Sequence, residues 1–384
     1  MLSPQFLHSA MRFWFPTAAA FFVNGAVFGG WAAQVPHAIG RLDADEAEFG
    51  LMLLGMGIGS VAAMAFSGFL ISRYGAGPVI RLTLALFLAI YVVLCVASGW
   101  AVFVACLLLF GAAGGLMDVA MNAYAAEVEM RMNWRVMASF HGMWSIGGLI
   151  GAAAAGLLLA ATSDLVQALV LDAGLAILFM TCQHRLIPFR QQGGEKPGRR
   201  WTIGRLTLVI AALTALCFAA EGAVRDWSSL FLSTEVRADI ERAGWGYAAF
   251  SATMALCRLS GDWMRLRFGE RNVIVASGLL AIIGFVLAVS FPRDLLVAAG
   301  FALVGVGLAN VVPILISAAG RTRSPGSSIA FVVSVGYAGY LASPPVLGFI
   351  ASHTSLATMF LVVAATCAAI PAGWLLVERT RATT

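Results

Sequence analysis

Apolar runs of membrane-crossing length follow one another along almost the whole chain. They fall near 13–35, 48–71, 78–97, 101–125, 136–160 and 164–182, then near 206–232, 243–263, 272–291, 295–319, 326–350 and 354–377. A spanning helix needs ~20 predominantly apolar residues, so the pattern predicts an all-α membrane protein with twelve transmembrane helices. Composition agrees. Hydrophobic residues make up 60% of the 384 and charged residues 11%, against about 25% charged in a soluble domain. That much apolar surface cannot be enclosed in one water-soluble core; it must face lipid. The first run is too long for the apolar core of a signal peptide and carries a motif that recurs later, so it is read as the first span.

One extended polar stretch, Gln183 to Thr202, interrupts the series. It divides the chain into an N-terminal six-helix bundle (1–182), a linker (183–205) and a C-terminal six-helix bundle (206–384). Basic residues report orientation, because cytoplasmic loops carry the excess of Lys and Arg. Nineteen of the 24 fall on the side of the termini and the linker, among them Arg73, Arg81, Arg131, Arg258, Arg265, Arg267 and Arg321. Only Arg41, Arg237, Arg242 and Arg293 fall on the other side, and Arg225 lies within a span. Both termini are therefore expected in the cytoplasm. The net charge of +5 resides in short clusters between apolar runs, with no aromatic-basic stretch to track a nucleic-acid backbone. The six cysteines sit in or beside apolar segments without a CxxC pair and read as small buried hydrophobes.

The halves repeat each other. Asn24-Gly25-Ala26-Val27 matches Glu221-Gly222-Ala223-Val224, with Trp31 and Trp227 beyond. Arg73-Tyr74-Gly75 matches Arg267-Phe268-Gly269, and Gly115-Leu116-Met117-Asp118 matches Gly307-Leu308-Ala309-Asn310. The offsets of 197, 194 and 192 residues keep the register nearly constant across the half. Six is even, so the two units share a topology about an axis along the membrane normal, as in transporters whose halves rock around a site between them.

With these motifs the chain resembles the major facilitator superfamily over essentially its whole length. Gly68 through Arg73 and Gly75 to Arg81 resembles the family signature between the second and third helices, with Ser72 where an Asp is usual. The second copy runs from Arg258 through Gly261-Asp262 to Arg267-Phe268-Gly269. The resemblance implies that Gly68, Arg73, Gly75, Arg258, Asp262, Arg267 and Gly269 form cytoplasmic gating latches. Within the superfamily the run Leu116-Met117-Asp118-Val119-Ala120-Met121-Asn122 looks like the fucose-permease-like branch of sugar and polyol symporters, as do Ser139-Phe140-His141-Gly142 and Asp226-Trp227-Ser228. That implies a proton-coupling role for Asp118. The branch's partner acid in the first helix has no counterpart, since Ala32 occupies the aligned position.

Ionisable residues inside spans are costly and mark functional sites by default; here they are Asp118, Asp172, Glu221, Arg225 and Asp226, with His141 titratable near neutrality. Asp118 and His141 are expected at similar depth on consecutive helices, either as a coupled proton-carrying pair or as a structural hydrogen bond. Asn122 shares a face with Asp118 by i,i+4 spacing. His141, Trp144 and Ser145 form a polar-aromatic stripe that suits a sugar, or packs as filler. Glu221 lies near the membrane midplane, with Asn24 its repeat partner. Arg225, one turn on, either neutralises it or, with Asp226, meets substrate; Asp226 and Trp227 are expected toward the outer face. Proton coupling is thus assigned to Asp118, Glu221 and His141. Substrate binding is assigned to Asn24, Trp31, Asn122, Trp144, Arg225, Asp226, Trp227 and Asn310. Asn310, Pro313 and Pro344-Pro345 signal broken or kinked helices. No role is assigned to Asp172.

No nucleophile elbow, HExxH, metal cluster or phosphate loop occurs, so neither an enzyme nor a cofactor is expected. The expectation is a secondary active transporter of a small hydrophilic solute such as a sugar or polyol. It would be driven by protons and act as a monomer in a bacterial inner membrane. Efflux of amphipathic compounds and a transporter-like sensor are the alternatives.

Overall fold

The computed structural model describes residues 4–132, 136–186, 204–319, 321–322 and 325–382. Among them every regular element is helical. The order is α1 (Pro4–Leu42), α2 (Glu46–Tyr74), α3 (Ala76–Val96), α4 (Trp100–Met132), α5 (Met137–Ala161) and α6 (Asp164–Met180), then a 3₁₀ turn at Gln183–Arg185. After the linker come α7 (Arg205–Thr234), the single turn α8 (Ile240–Ala243), α9 (Trp245–Leu259), α10 (Gly261–Ser290), α11 (Asp294–Leu308), α12 (Val311–Ala319), α13 (Pro325–His353), α14 (Leu356–Cys367) and α15 (Ala369–Ala382). Among the described residues ten helices are long and apolar enough to cross a membrane. The helices at the expected sixth and eighth spans, α6 and α9, are shorter, at 17 and 15 residues. Large apolar side chains point outward on many helices, with Leu266 89% and Ile177 67% exposed, as a lipid-facing surface requires.

The chain divides into two compact units, residues 1–43 with 55–196 and residues 44–54 with 197–384. In the first, α5 packs along α1 through a seam of glycines. A Cβ at Gly25 or Gly29 would meet the backbone of Trp144 or Gly148, and one at Gly147 or Gly151 would meet that of Phe22 or Ala26. Small residues that let helix backbones approach are the usual means of association in lipid, where no hydrophobic force drives helices together. α4 packs mainly on α3 and also meets α1.

In the second unit α7 packs on α13, and α11 on both α9 and α10. Gly284 and Gly300 face each other there, each with a backbone carbonyl 2.6 Å from where the other's Cβ would lie. The expected break at Asn310 is present, between α11 and α12, whereas α13 continues through Pro344 and Pro345.

Gly75 adopts φ 86°, ψ 154° and Gly269 adopts φ 80°, ψ 152°, a region open essentially to glycine alone. Each lies two residues after the arginine of the repeated Arg-x-Gly motif, so both copies make the same sharp turn.

Candidate solute and proton sites

In the first unit, α4 presents Asp118 and Asn122 on one face. The Asn122 amide donates to the Asp118 carboxylate at 3.1 Å and to its backbone carbonyl at 2.9 Å, as i,i+4 spacing allows. His141 on α5 meets the ring of Phe21 edge-on at 5.3 Å. The Trp144 indole N–H donates to Asn24 Oδ1 at 2.8 Å, joining α5 to α1. Asn24 is 1% exposed and its Nδ2 is buried with no protein partner. Trp31 is 0% exposed and packs between Phe103 and Phe110. It belongs to the core of this unit, with no surface to offer a solute in this conformation.

In the second unit, α7 carries Glu221, Arg225, Asp226 and Trp227 within two turns. Arg225 lies within electrostatic reach of Glu221 and forks onto the neighbouring Asp226, Nε to Oδ1 at 2.7 Å and Nη2 to Oδ2 at 2.8 Å, with its guanidinium 4.4 Å from the Tyr340 ring centre. Glu221 is held by Arg258 of α9 at 3.3 and 3.4 Å. The physical reason is competition: a planar guanidinium prefers a two-point match to one carboxylate. Asp226 supplies that match, which leaves Glu221 to a second cation. Arg258, assigned above to a cytoplasmic latch, therefore joins the site. Asp226 and Trp227 are 1% and 0% exposed, and Trp227 lies edge-on to Phe49. The Trp227 indole N–H and the hydroxyls of Ser228 and Ser229 are buried with no protein partner. Tyr247 lies within electrostatic reach of Arg225, Asp226 and Glu221.

Asn310 is occupied elsewhere. Its amide donates to the Cys257 carbonyl at 3.2 Å, and its Oδ1 lies where a Cβ on Gly261 would go; it fastens the junction of α9 and α10. The latch residues Arg73 and Arg267 are exposed, and a Cβ at Gly68 would meet nothing within 4 Å. Asp262 lies in the first turn of α10, its side chain outside the described residues. Beyond Gly269, Glu270 accepts from Arg265 at 2.6 Å and from Arg321 at 2.6 and 3.1 Å, a charge cluster that sequence reading did not single out.

Uncharged polar residues were also missed. Gln34 and Gln167 lie inside apolar runs where a search for charges passes over them, and both are 0% exposed. Among the described residues no group of three or more His, Cys, Asp or Glu is placed to hold a metal ion.

Buried charges paired across long apolar helices define a multi-pass membrane carrier. The comparisons give its family. The Major Facilitator Superfamily profile matches residues 15–220 and again 208–384. The chain is 37% identical over 351 residues to an uncharacterized MFS-type transporter of Yersinia pestis, covering 91% of each. It is 32% identical over 354 residues to the membrane protein MosC of Rhizobium meliloti, covering 91% of this chain and 86% of that one. The chain belongs to the Major Facilitator Superfamily and is a membrane transporter rather than an enzyme. Two solved structures share its fold. The nucleoside transporter NupG matches with a TM-score of 0.76 at 16% identity, over 94% of this chain and 98% of that one. A bacterial homolog of the lysosomal transporter Spinster, inward-facing and occupied, matches with a TM-score of 0.70 at 12% identity, over 99% and 98%.

Proposed function

We propose that this protein is a secondary active transporter that moves a small hydrophilic solute by alternating access, coupled to protons through Asp118. The observation that carries the solute class lies on α7. The Arg225–Asp226 fork over Tyr340 shares the helix with three buried donors lacking a protein partner, at Trp227, Ser228 and Ser229. Buried polar groups are nearly always satisfied, so such donors call for acceptors from water or a bound molecule. Sugars, polyols and nucleosides are rich in acceptors. Asn24 Nδ2 offers a further donor in the first unit. The ring faces of Trp144 and Tyr340 suit the flat or apolar face of a sugar or base. NupG carries nucleosides, and at 16% identity it lends fold, not substrate.

The reading extends to twelve spans, with α6 and α9 completing the ten long ones. It includes two halves related by the repeats noted above, both termini in the cytoplasm of a bacterial inner membrane, and kinship with the fucose-permease-like branch. Asp118 with Asn122 is the primary proton site, Glu221 and His141 are secondary ones, and the turns at Gly75 and Gly269 act as cytoplasmic latches.

The test is solute-dependent proton flux in proteoliposomes, screening sugars, polyols, nucleosides and organic acids, with Asp118→Asn beside the wild type. Proton movement with one solute, lost in Asp118→Asn while solute binding persists, supports the proposal. Transport without proton movement, or an unaffected variant, overturns the coupling.

A further inference from the structure

Asp172 is a carboxylate inside the membrane-spanning part of the first unit that the mechanism above leaves unused. It lies eight residues along α6 from Asp164, ~12 Å deeper at the rise of an α-helix. It is 8% exposed, and its Oδ1 is buried with no protein partner. Around it α1 and α6 run antiparallel in fixed register: His37 opposite Asp164, Gln34 opposite Gln167, and Gly30 opposite Leu171. That register stacks polar groups in three tiers.

The tier at the helix ends is ionic. Asp164 accepts from Arg41 at 2.6 Å and shares a 2.7 Å hydrogen bond with His37 Nδ1, whose Nε2 is buried without a protein partner. The middle tier is neutral. Gln34 Nε2 donates to Gln167 Oε1 at 2.6 Å, Gln167 Nε2 donates to the Tyr91 hydroxyl at 3.1 Å, and Gln34 Oε1 is buried without a protein partner. Asp172 is the third tier, within electrostatic reach of both Tyr91 and Cys95 on α3. Cys95 is in turn within reach of Arg41 and Asp164, so the three tiers form one cluster. Two further titratable side chains on the packed helices have neighbours of their own. The titratable residue on α5 is His141, against Phe21, and Arg81 of α3 is engaged by the carbonyls of Gln183 and Leu186.

The vacant hydrogen-bonding positions lie one to a tier, at His37 Nε2, Gln34 Oε1 and Asp172 Oδ1. Nothing in a well-packed bundle requires that spacing. A file of ordered waters, each needing two or more polar partners, would satisfy all three. We propose that this file leads protons from the Arg41 end of α1, the side the basic-residue count marks as external, to Asp172, which is a second proton-binding site separate from Asp118. The balance is simple. A hydronium at the surface passes its proton through the waters, the Asp172 carboxylate takes it as a carboxylic acid, and no other group changes charge. A sodium site fits less well, since one carboxylate and a few amide and hydroxyl oxygens fall short of the oxygen shell a hard cation collects.

The inference deepens the proton-coupled reading, and its test needs no solute. Purified full-length protein in lipid nanodiscs is taken through a pH jump, and the carboxylic-acid C=O stretch is followed by infrared difference spectroscopy. Wild type and Asp118→Asn should both show a band that Asp172→Asn lacks. Asp172→Glu should shift that band in frequency, which covers the case of an Asp172→Asn protein that does not fold. Gln34→Leu, which removes the middle rung with little change in volume, should keep the band and slow its appearance at least tenfold. The proposal falls if the band survives Asp172→Asn, if Asp172→Glu leaves it unmoved, if Gln34→Leu titrates at the wild-type rate, or if sodium replaces the pH jump in eliciting it. If the band behaves as expected while transport moves no protons, this site stands and the coupling reading above is the one that fails.

Discussion

Glu221 and Arg258 meet across two helices, α7 and α9, with carboxylate and guanidinium 3.3 Å apart and both side chains less than one-fifth exposed. Each charge is tolerable at this depth only because the other is there, since removing one partner of a buried pair leaves an uncompensated charge. Glu221→Gln and Arg258→Gln should each lower stability by about 3–5 kcal/mol, while the double variant loses less than the sum of the two. Thermal unfolding in detergent measures the cycle. Additive losses would mean that the two side chains do not interact.

Arg225 is held by two-point contact with Asp226 and by the face of Tyr340. Lysine keeps the charge and loses both the fork and the stacking. Arg225→Lys should therefore reduce solute uptake roughly 10- to 100-fold, the equivalent of one or two charged hydrogen bonds. Uptake assays on protein matched for membrane expression would show it. Activity near wild type in Arg225→Lys would reduce the role of Arg225 to charge balance.

Gly269 has a φ of +80° and open space around its missing Cβ. Any loss on substitution must then come from backbone strain rather than from a clash. Gly269→Ala should cost about 1–3 kcal/mol and slow transport, because the turn joins the Arg265–Glu270–Arg321 cluster to the helix before it. A neutral result in a thermal-shift assay would show that this turn can relax to negative φ.

The seam between α1 and α5 makes the opposite kind of demand, for close approach. A side chain at Gly25 or Gly147 would strike the carbonyl backbone of the facing helix, which cannot swing aside as a side chain can. Gly147→Val should destabilise by about 1–3 kcal/mol or more, as overpacking does. It should also weaken the Trp144–Asn24 hydrogen bond next to it, read as a change in tryptophan fluorescence. Unchanged stability and fluorescence would contradict the packing described here.

Trp144→Phe keeps a ring on α5 and removes the indole donor that Asn24 Oδ1 accepts. Asn24 is then left buried with neither end paired by protein, a desolvation loss of about 1–3 kcal/mol. Solute affinity should fall while the fold persists, and Asn24→Leu in the same background should recover stability without recovering transport.

Much of this architecture is legible in the sequence because it is set by local quantities. An apolar run of ~20 residues has one stable form in lipid, since every backbone polar group must be satisfied within its own helix. Among the described residues ten helices have that length and apolarity. The glycine turns were also readable, from Arg-x-Gly occurring twice in register. The helix break at Asn310 followed from its place in a run otherwise closed to polar residues.

Partner choice was not readable. Glu221 could be matched in sequence to Arg225 four residues on, but only the packing of α7 against α9 brings Arg258 to it as well. The order of the spans says nothing of the seam that lays α5 along α1, where glycines on both helices permit contact between backbones. Asp172 acquires meaning only when the register of α1 on α6 stacks His37, Gln34 and Gly30 opposite Asp164, Gln167 and Leu171. The sequence determines which segments enter the membrane, because hydropathy and charge act over a single helix. Tertiary structure decides which polar groups meet inside it, because those contacts join residues 30 to 140 positions apart through the shapes of the faces between them.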